Sequence, residues 1–110
     1  TNFLTLQTND DGDWRIRVSA EFERDGPVGM ADHLIQLRLF KNGTLERVIS
    51  EFNEPFESSS ELLAGEAFSS CVAGDTLQVR MRTQLPAGAM YDIRLTGASA
   101  TNWVSFERVK

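Results

Sequence analysis

The sequence predicts an all-β protein, built either as a two-sheet sandwich or as a closed barrel. Eight runs of alternating apolar and polar residues fill nearly the whole 110-residue chain, with turn-forming residues between them at steady spacing. Two short signatures mark strand-turn junctions. Leu39-Phe40-Lys41-Asn42-Gly43-Thr44 is a strand running into a hairpin turn, and Ala73-Gly74-Asp75-Thr76-Leu77-Gln78-Val79 is a turn launching a strand.

Phe3, Leu4 and Leu6 open with a short strand that ends at Asn9-Asp10-Asp11-Gly12. Trp14, Ile16, Val18, Ala20 and Phe22 then share one face, opposite Arg15, Arg17, Ser19, Glu21 and Glu23, the cleanest half-buried strand in the chain. Asp25-Gly26-Pro27-Val28-Gly29 breaks it, because Pro cannot donate to a ladder and Gly turns freely. The third run, Leu34 to Phe40, places Ile35, Leu37 and Leu39 on one face. Asn42-Gly43 suits a type I′ hairpin, whose two central residues need positive φ.

Leu45, Val48, Ile49 and Phe52 alternate less regularly, the pattern of a strand hiding a bulge. The polar connection Asn53 to Ser60 has the length of a crossing between sheets. Leu62 to Val72 reads as a strand interrupted at Gly65. Leu77, Val79 and Met81 alternate with Gln78, Arg80 and Arg82, and Pro86-Ala87-Gly88 makes another turn. Tyr91, Ile93 and Leu95 alternate in turn, Gly97 to Thr101 makes a last turn, and Trp103 to Val109 closes the chain.

At this length the chain is one domain, residues 1–110, able to bury a single core without staples. Thr1 is not an initiator Met, which leaves room for an upstream part of a longer chain. Sixteen acids against eleven bases give a net charge of −5, which argues against nucleic acid as the main partner. The apolar stretches are too short for membrane insertion. Cys71 has no second Cys to bridge and reads as a small buried hydrophobe. His33, at a strand entrance, suits a surface or partly buried polar residue.

The order of the motifs carries a resemblance. Gly12-Asp13-Trp14-Arg15-Ile16 puts a glycine and an aromatic at a strand start; Leu37 to Gly43 runs an apolar strand into Lys-Asn-Gly; Ala73-Gly74-Asp75-Thr76-Leu77 opens a later strand. Over roughly residues 12 to 108 this order resembles the tumour necrosis factor-like jelly roll found in the globular heads of complement proteins, and the related trimeric heads of viral and bacteriophage fibres. The resemblance implies a jelly-roll sandwich of about eight antiparallel strands in two sheets, a homotrimer, and recognition of a protein or glycan through loops and subunit grooves. It implies no catalytic residues and no cofactor. The expected function is a non-enzymatic head on a virion surface: a fibre or spike tip that binds a host-surface protein or glycan, or a knob that decorates the capsid surface. The alternative is an extracellular signalling or pattern-recognition head.

Loops on a rigid sandwich carry recognition, so the longer connections supply the candidate contact residues: Asp25 and Val28 in the first, and Phe56, Glu57 and Ser58 in the second. Asn9 to Asp13 is the densest group of oxygen ligands, read first as an Asx-rich turn and second as a calcium loop, so no metal is expected. Arg15, Arg17, Arg38, Arg80, Arg82 and Arg94 all fall on the polar phase of their strands. The first expectation pairs them with Glu21, Glu23, Glu46 and Glu51 as charge ladders; the second puts some at a subunit interface, and the third makes a face for a sulfated or sialylated glycan. Trp14, Trp103, Phe40, Phe56 and Tyr91 read as core or interface anchors.

Overall fold

A computed structural model describes residues 2–9, 11–25, 32–55, 60–85 and 92–110. Its strands are β1 (Asn2–Gln7), β2 (Gly12–Asp25), β3 (Asp32–Lys41), β4 (Thr44–Pro55), β5 (Ser60–Cys71), β6 (Thr76–Gln84), β7 (Asp92–Leu95) and β8 (Trp103–Arg108). The first sheet runs β1-β6-β3-β4, and the second runs β5-β2-β7 with β8 also on β2. Every pairing is antiparallel.

Strands β1 to β6 pair as nested couples, β3 with β4, β2 with β5 and β1 with β6. This is the wrap of a jelly roll: one long hairpin folded over so that alternate couples fall in opposite sheets. β7 and β8 lie end to end along the free side of β2, β7 against Phe22 to Asp25 and β8 against Trp14 to Ser19. The segment between them is tied down rather than looped away. Asn102 accepts the Glu21 N–H at Oδ1 and donates to the Ala98 carbonyl, while Ser19 donates to the Thr101 carbonyl.

The period-two pattern fixes the core. Ile16, Val18, Ala20 and Phe22 of β2 face Ile35, Leu37 and Leu39 of β3 and Leu77 and Val79 of β6, all buried, with Ile93 and Cys71 closing the ends. Trp14 and Leu95 pack against this cluster partly buried. His33 corrects its sequence reading: it lies in the inward phase of β3, beside Ile35, and is wholly buried. Its position in the alternation, not its chemistry, decides this.

The irregular alternation of β4 is a double bulge. Register slips between Leu37 and Arg38 leave Ile49 unopposed, and slips between Leu39 and Phe40 leave Glu46 unopposed. Ile49 then presses on β5 at Gly65, where a Cβ would lie 2.8 Å from Ile49 Cγ2 and 2.9 Å from the Ile49 carbonyl oxygen. Gly65 therefore does not interrupt β5. It sits within the ladder opposite Val18, and the glycine is there because the facing strand comes too close for any side chain.

Candidate recognition surfaces

The two sequence signatures meet at one end of the sandwich. Asn42 and Gly43 have φ of 53° and 80°, both positive, as the type I′ hairpin between Lys41 and Thr44 requires. The Asn42 amide donates to Asp75 Oδ1 at 2.9 Å, and its oxygen accepts the Thr76 N–H at 2.9 Å. Asp75 Oδ2 accepts the Val72 N–H, and Lys41 Nζ donates to the Ser70 carbonyl nearby. These hydrogen bonds, the Asn42 amide first, hold the Asp75 carboxyl below the usual carboxylate range. Asp11 and Asp13 belong to the same end. Asp11 accepts the Ala73 N–H and Asp13 accepts the Ser70 hydroxyl, so both carboxylates serve turns and strand ends. Asp10 lies outside the described residues.

The opposite end is where the sequence placed its contact residues. The strand ends flanking 26–31, 56–59 and 86–91 converge there, since Glu23 pairs with Ser60, Asp25 with Asp92, Asp32 with Pro55, and Leu34 with Gln84. Val28, Phe56, Glu57 and Ser58 lie outside the described residues, as does Tyr91. Asp25 is placed by its backbone as the last residue of β2.

The outer face of the second sheet mixes ion pairs with exposed apolar side chains. Arg15 meets Glu107 at 2.7 Å and Arg17 meets Glu66 at 2.9 Å, while Arg94 meets Glu23 at 2.8 Å. Charge ladders thus form, but of the four predicted acids only Glu23 takes part. Glu21 instead accepts the Thr96 and Thr101 hydroxyls, Glu46 accepts from Ser69, and Glu51 accepts from Gln36. The real partners Glu66 and Glu107 sit on strands whose register the sequence does not announce. Around these pairs stand Leu62 at 56% exposure, Phe68 at 49%, and Trp103 and Val109 at 42% each. Phe68 and Val109 line a shallow depression of about 330 Å³ with Asp13, Ser70 and Lys110.

The outer face of the first sheet differs. Arg38 and Arg80 stand directly opposite each other across β3 and β6, and Gln36 opposes Arg82 in the next phase-matched row. Among the described residues none of these three arginines has a carboxylate within ion-pair distance. Arg38 donates from Nε to Gln36 Oε1, Arg80 donates from Nε to Gln78 Oε1, and the Arg80 guanidinium lies 4.1 Å above the Phe40 ring. Gln36 in turn donates to Glu51, and Gln78 to Thr5. Leu45 and Val48 of β4, opposite Phe40 and Arg38, stand exposed at its margin.

No group of His, Cys, Asp and Glu among the described residues is arranged to hold a metal ion. The chain matches no known family model and no characterised protein.

Proposed function

We propose that this domain is the non-enzymatic head of a homotrimeric phage or viral structural protein, acting as a fibre or spike tip for host attachment or as a capsid decoration knob. The outer face of the second sheet carries the reading. Leu62, Phe68, Trp103 and Val109 are each 42–56% exposed on the outer side of the second sheet of a 12.3 kDa domain. Apolar side chains gathered on a rigid sheet are the usual mark of a surface that another protein covers. In this proposal that other surface belongs to the neighbouring subunits. The motif order of the fibre-head resemblance supplies the number of three. The lone, buried Cys71 fits assembly in a reducing cytoplasm. The end carrying the 26–31 and 56–59 connections is then left for the target.

Sedimentation equilibrium tests the assembly: the expected mass is three times 12.3 kDa. Phe68→Glu with Trp103→Glu should give a folded monomer with an unchanged far-UV spectrum. A wild-type domain that stays monomeric at high concentration overturns the trimer. For the target, the purified domain is incubated separately with host cells and with undecorated particles. Binding to cells assigns an attachment tip and binding to particles a decoration knob, and Phe56→Ala should weaken whichever is found. Binding to neither refutes the virion reading.

A further inference from the structure

We propose that the outer face of the first sheet is a binding site for an acidic glycan, which Arg38, Arg80 and Arg82 grip by its carboxylate or sulfate groups. The inference rests on the attachment-head reading and names the ligand class that such a head would take.

Like charges directly opposite in an antiparallel pair are destabilising, yet Arg38 faces Arg80 across the ladder and Arg82 lies two residues further along β6. The chain has five more acids than bases, but none of them is placed against these guanidinium groups among the described residues. Glu51, the carboxylate in register on this face, is engaged by Gln36 instead. The second sheet shows that this protein can pair its arginines, since Arg15, Arg17 and Arg94 all have carboxylate partners. Local arrangements that oppose stability concentrate at functional sites.

Arg38 and Arg80 are also pre-oriented. Gln36 and Gln78 each bind an Nε, and Phe40 supports the Arg80 plane from below. With Nε engaged, the Nη1 and Nη2 end of each fork is the end left to bind, and that end matches a carboxylate or sulfate in bidentate fashion. On these antiparallel strands the Nε contacts turn the two opposed side chains apart, Arg38 toward the row of Gln36 and Arg82 and Arg80 toward the row of Gln78 and Phe40, so an extended ligand with more than one acidic group matches the face.

The position selects the class of ligand. β6 and β3 are the inner strands of the order β1-β6-β3-β4, so at Arg38 and Arg80 the backbones are already paired on both sides. A peptide that binds by adding a strand finds no edge here. Recognition must come from side chains, and beside the arginines the partly buried Gln78 and the exposed Thr5 carry an amide and a hydroxyl of the kind that sugar hydroxyls pair with, while the buried Gln36 serves Arg38 and Glu51. Leu45 and Val48 offer apolar contact for ring faces.

The test titrates the intact protein with a sialylated oligosaccharide, a sulfated oligosaccharide and the neutral parent of each, at low and moderate salt. At least one acidic glycan should bind, its neutral parent should not, and salt should weaken the interaction. Arg38→Gln with Arg80→Gln should reduce affinity at least tenfold while leaving the far-UV spectrum unchanged. Arg80→Lys should also weaken binding, since it keeps the charge and loses the fork, and Arg17→Gln should leave binding intact. Failure of both acidic glycans to bind overturns the proposal, as does binding that survives the double substitution. If the double variant instead changes the sedimentation mass, with no glycan bound by either form, the face is a subunit contact and the proposal is again wrong. A trimer that attaches to particles but binds no glycan sinks this inference alone. A monomer that binds acidic glycan sinks the trimer and leaves this site standing.

Discussion

Asp75 and Asn42 lie 33 residues apart in the chain and are bonded to each other through their side chains. Asp75 is the acceptor at the centre of that contact, taking the Asn42 amide and the Val72 N–H, with Lys41 Nζ at 3.9 Å. Its folded pKa is depressed, so its contribution to stability is complete above the unfolded carboxylate range, about pH 4, and is lost as pH falls through the depressed folded value. Glu107, lowered by the Arg15 hydrogen bond, acts with the same sign. Asp75→Asn should therefore lower the melting temperature at pH 7, and the gap from wild type should close as the pH approaches 2. Thermal melts across that range check this; a gap independent of pH would mean that the carboxylate charge is irrelevant. The two signatures were readable as turns because Asn-Gly and Gly-Asp are local chemistry. That they bond each other was not readable, since no periodicity encodes which turn lies beside which.

At the scale of the element, β4 and β5 show where alternation succeeds and where it fails. The ragged pattern Leu45, Val48, Ile49, Phe52 does predict a bulged strand. Gly65 departs from the break that the sequence suggests, because a glycine in a strand has two opposite meanings, a break or a close approach, and only the neighbour decides. Here the neighbour is Ile49, pushed toward β5 by the bulge. Gly65→Ala should destabilise the domain by about 1–3 kcal/mol through overpacking. Ile49→Ala should recover part of that loss in the double variant, because it removes Cγ2 but leaves the carbonyl oxygen in place. Urea unfolding of the four proteins of this cycle measures the coupling; strict additivity would show that the two residues do not collide. The exposed faces carry a parallel lesson. The sequence put all six arginines on polar phases correctly, but which of them meet acids depends on register, and register separates Arg15, Arg17 and Arg94 from Arg38, Arg80 and Arg82.

For the molecule as a whole, the sheets, the core and the burial of Ile16, Val18, Ile35, Leu37, Leu39, Leu77 and Val79 follow from the alternation in the sequence. The docking of β7 and β8 in line on β2 does not, because the fourteen residues of β2 read as one strand whether one partner or two lie beside them. The nested couples have a kinetic meaning as well. Only β3 and β4 join through a two-residue turn; β2 waits for β5, β1 waits for β6, and β8 returns to β2 from the far end of the chain. Loop-closure entropy opposes the distant couples until the near ones have formed, so assembly should proceed outward from the Asn42-Gly43 hairpin, and slowly for a domain of this size. Gly43 reports on the first step cleanly, since a Cβ there meets nothing within 4 Å and any effect comes from its φ of 80°. Gly43→Ala should lose about 1 kcal/mol, nearly all of it as slower folding, whereas Phe106→Leu in β8 should mainly quicken unfolding. Stopped-flow chevrons distinguish the two, and the reverse assignment would place the nucleus elsewhere. During synthesis, β2 emerges early with its core face of Ile16, Val18 and Phe22 formed in sequence but uncovered, and it stays a bare edge until the last strands leave the ribosome. That interval, rather than the finished fold, is when this chain is most exposed to aggregation.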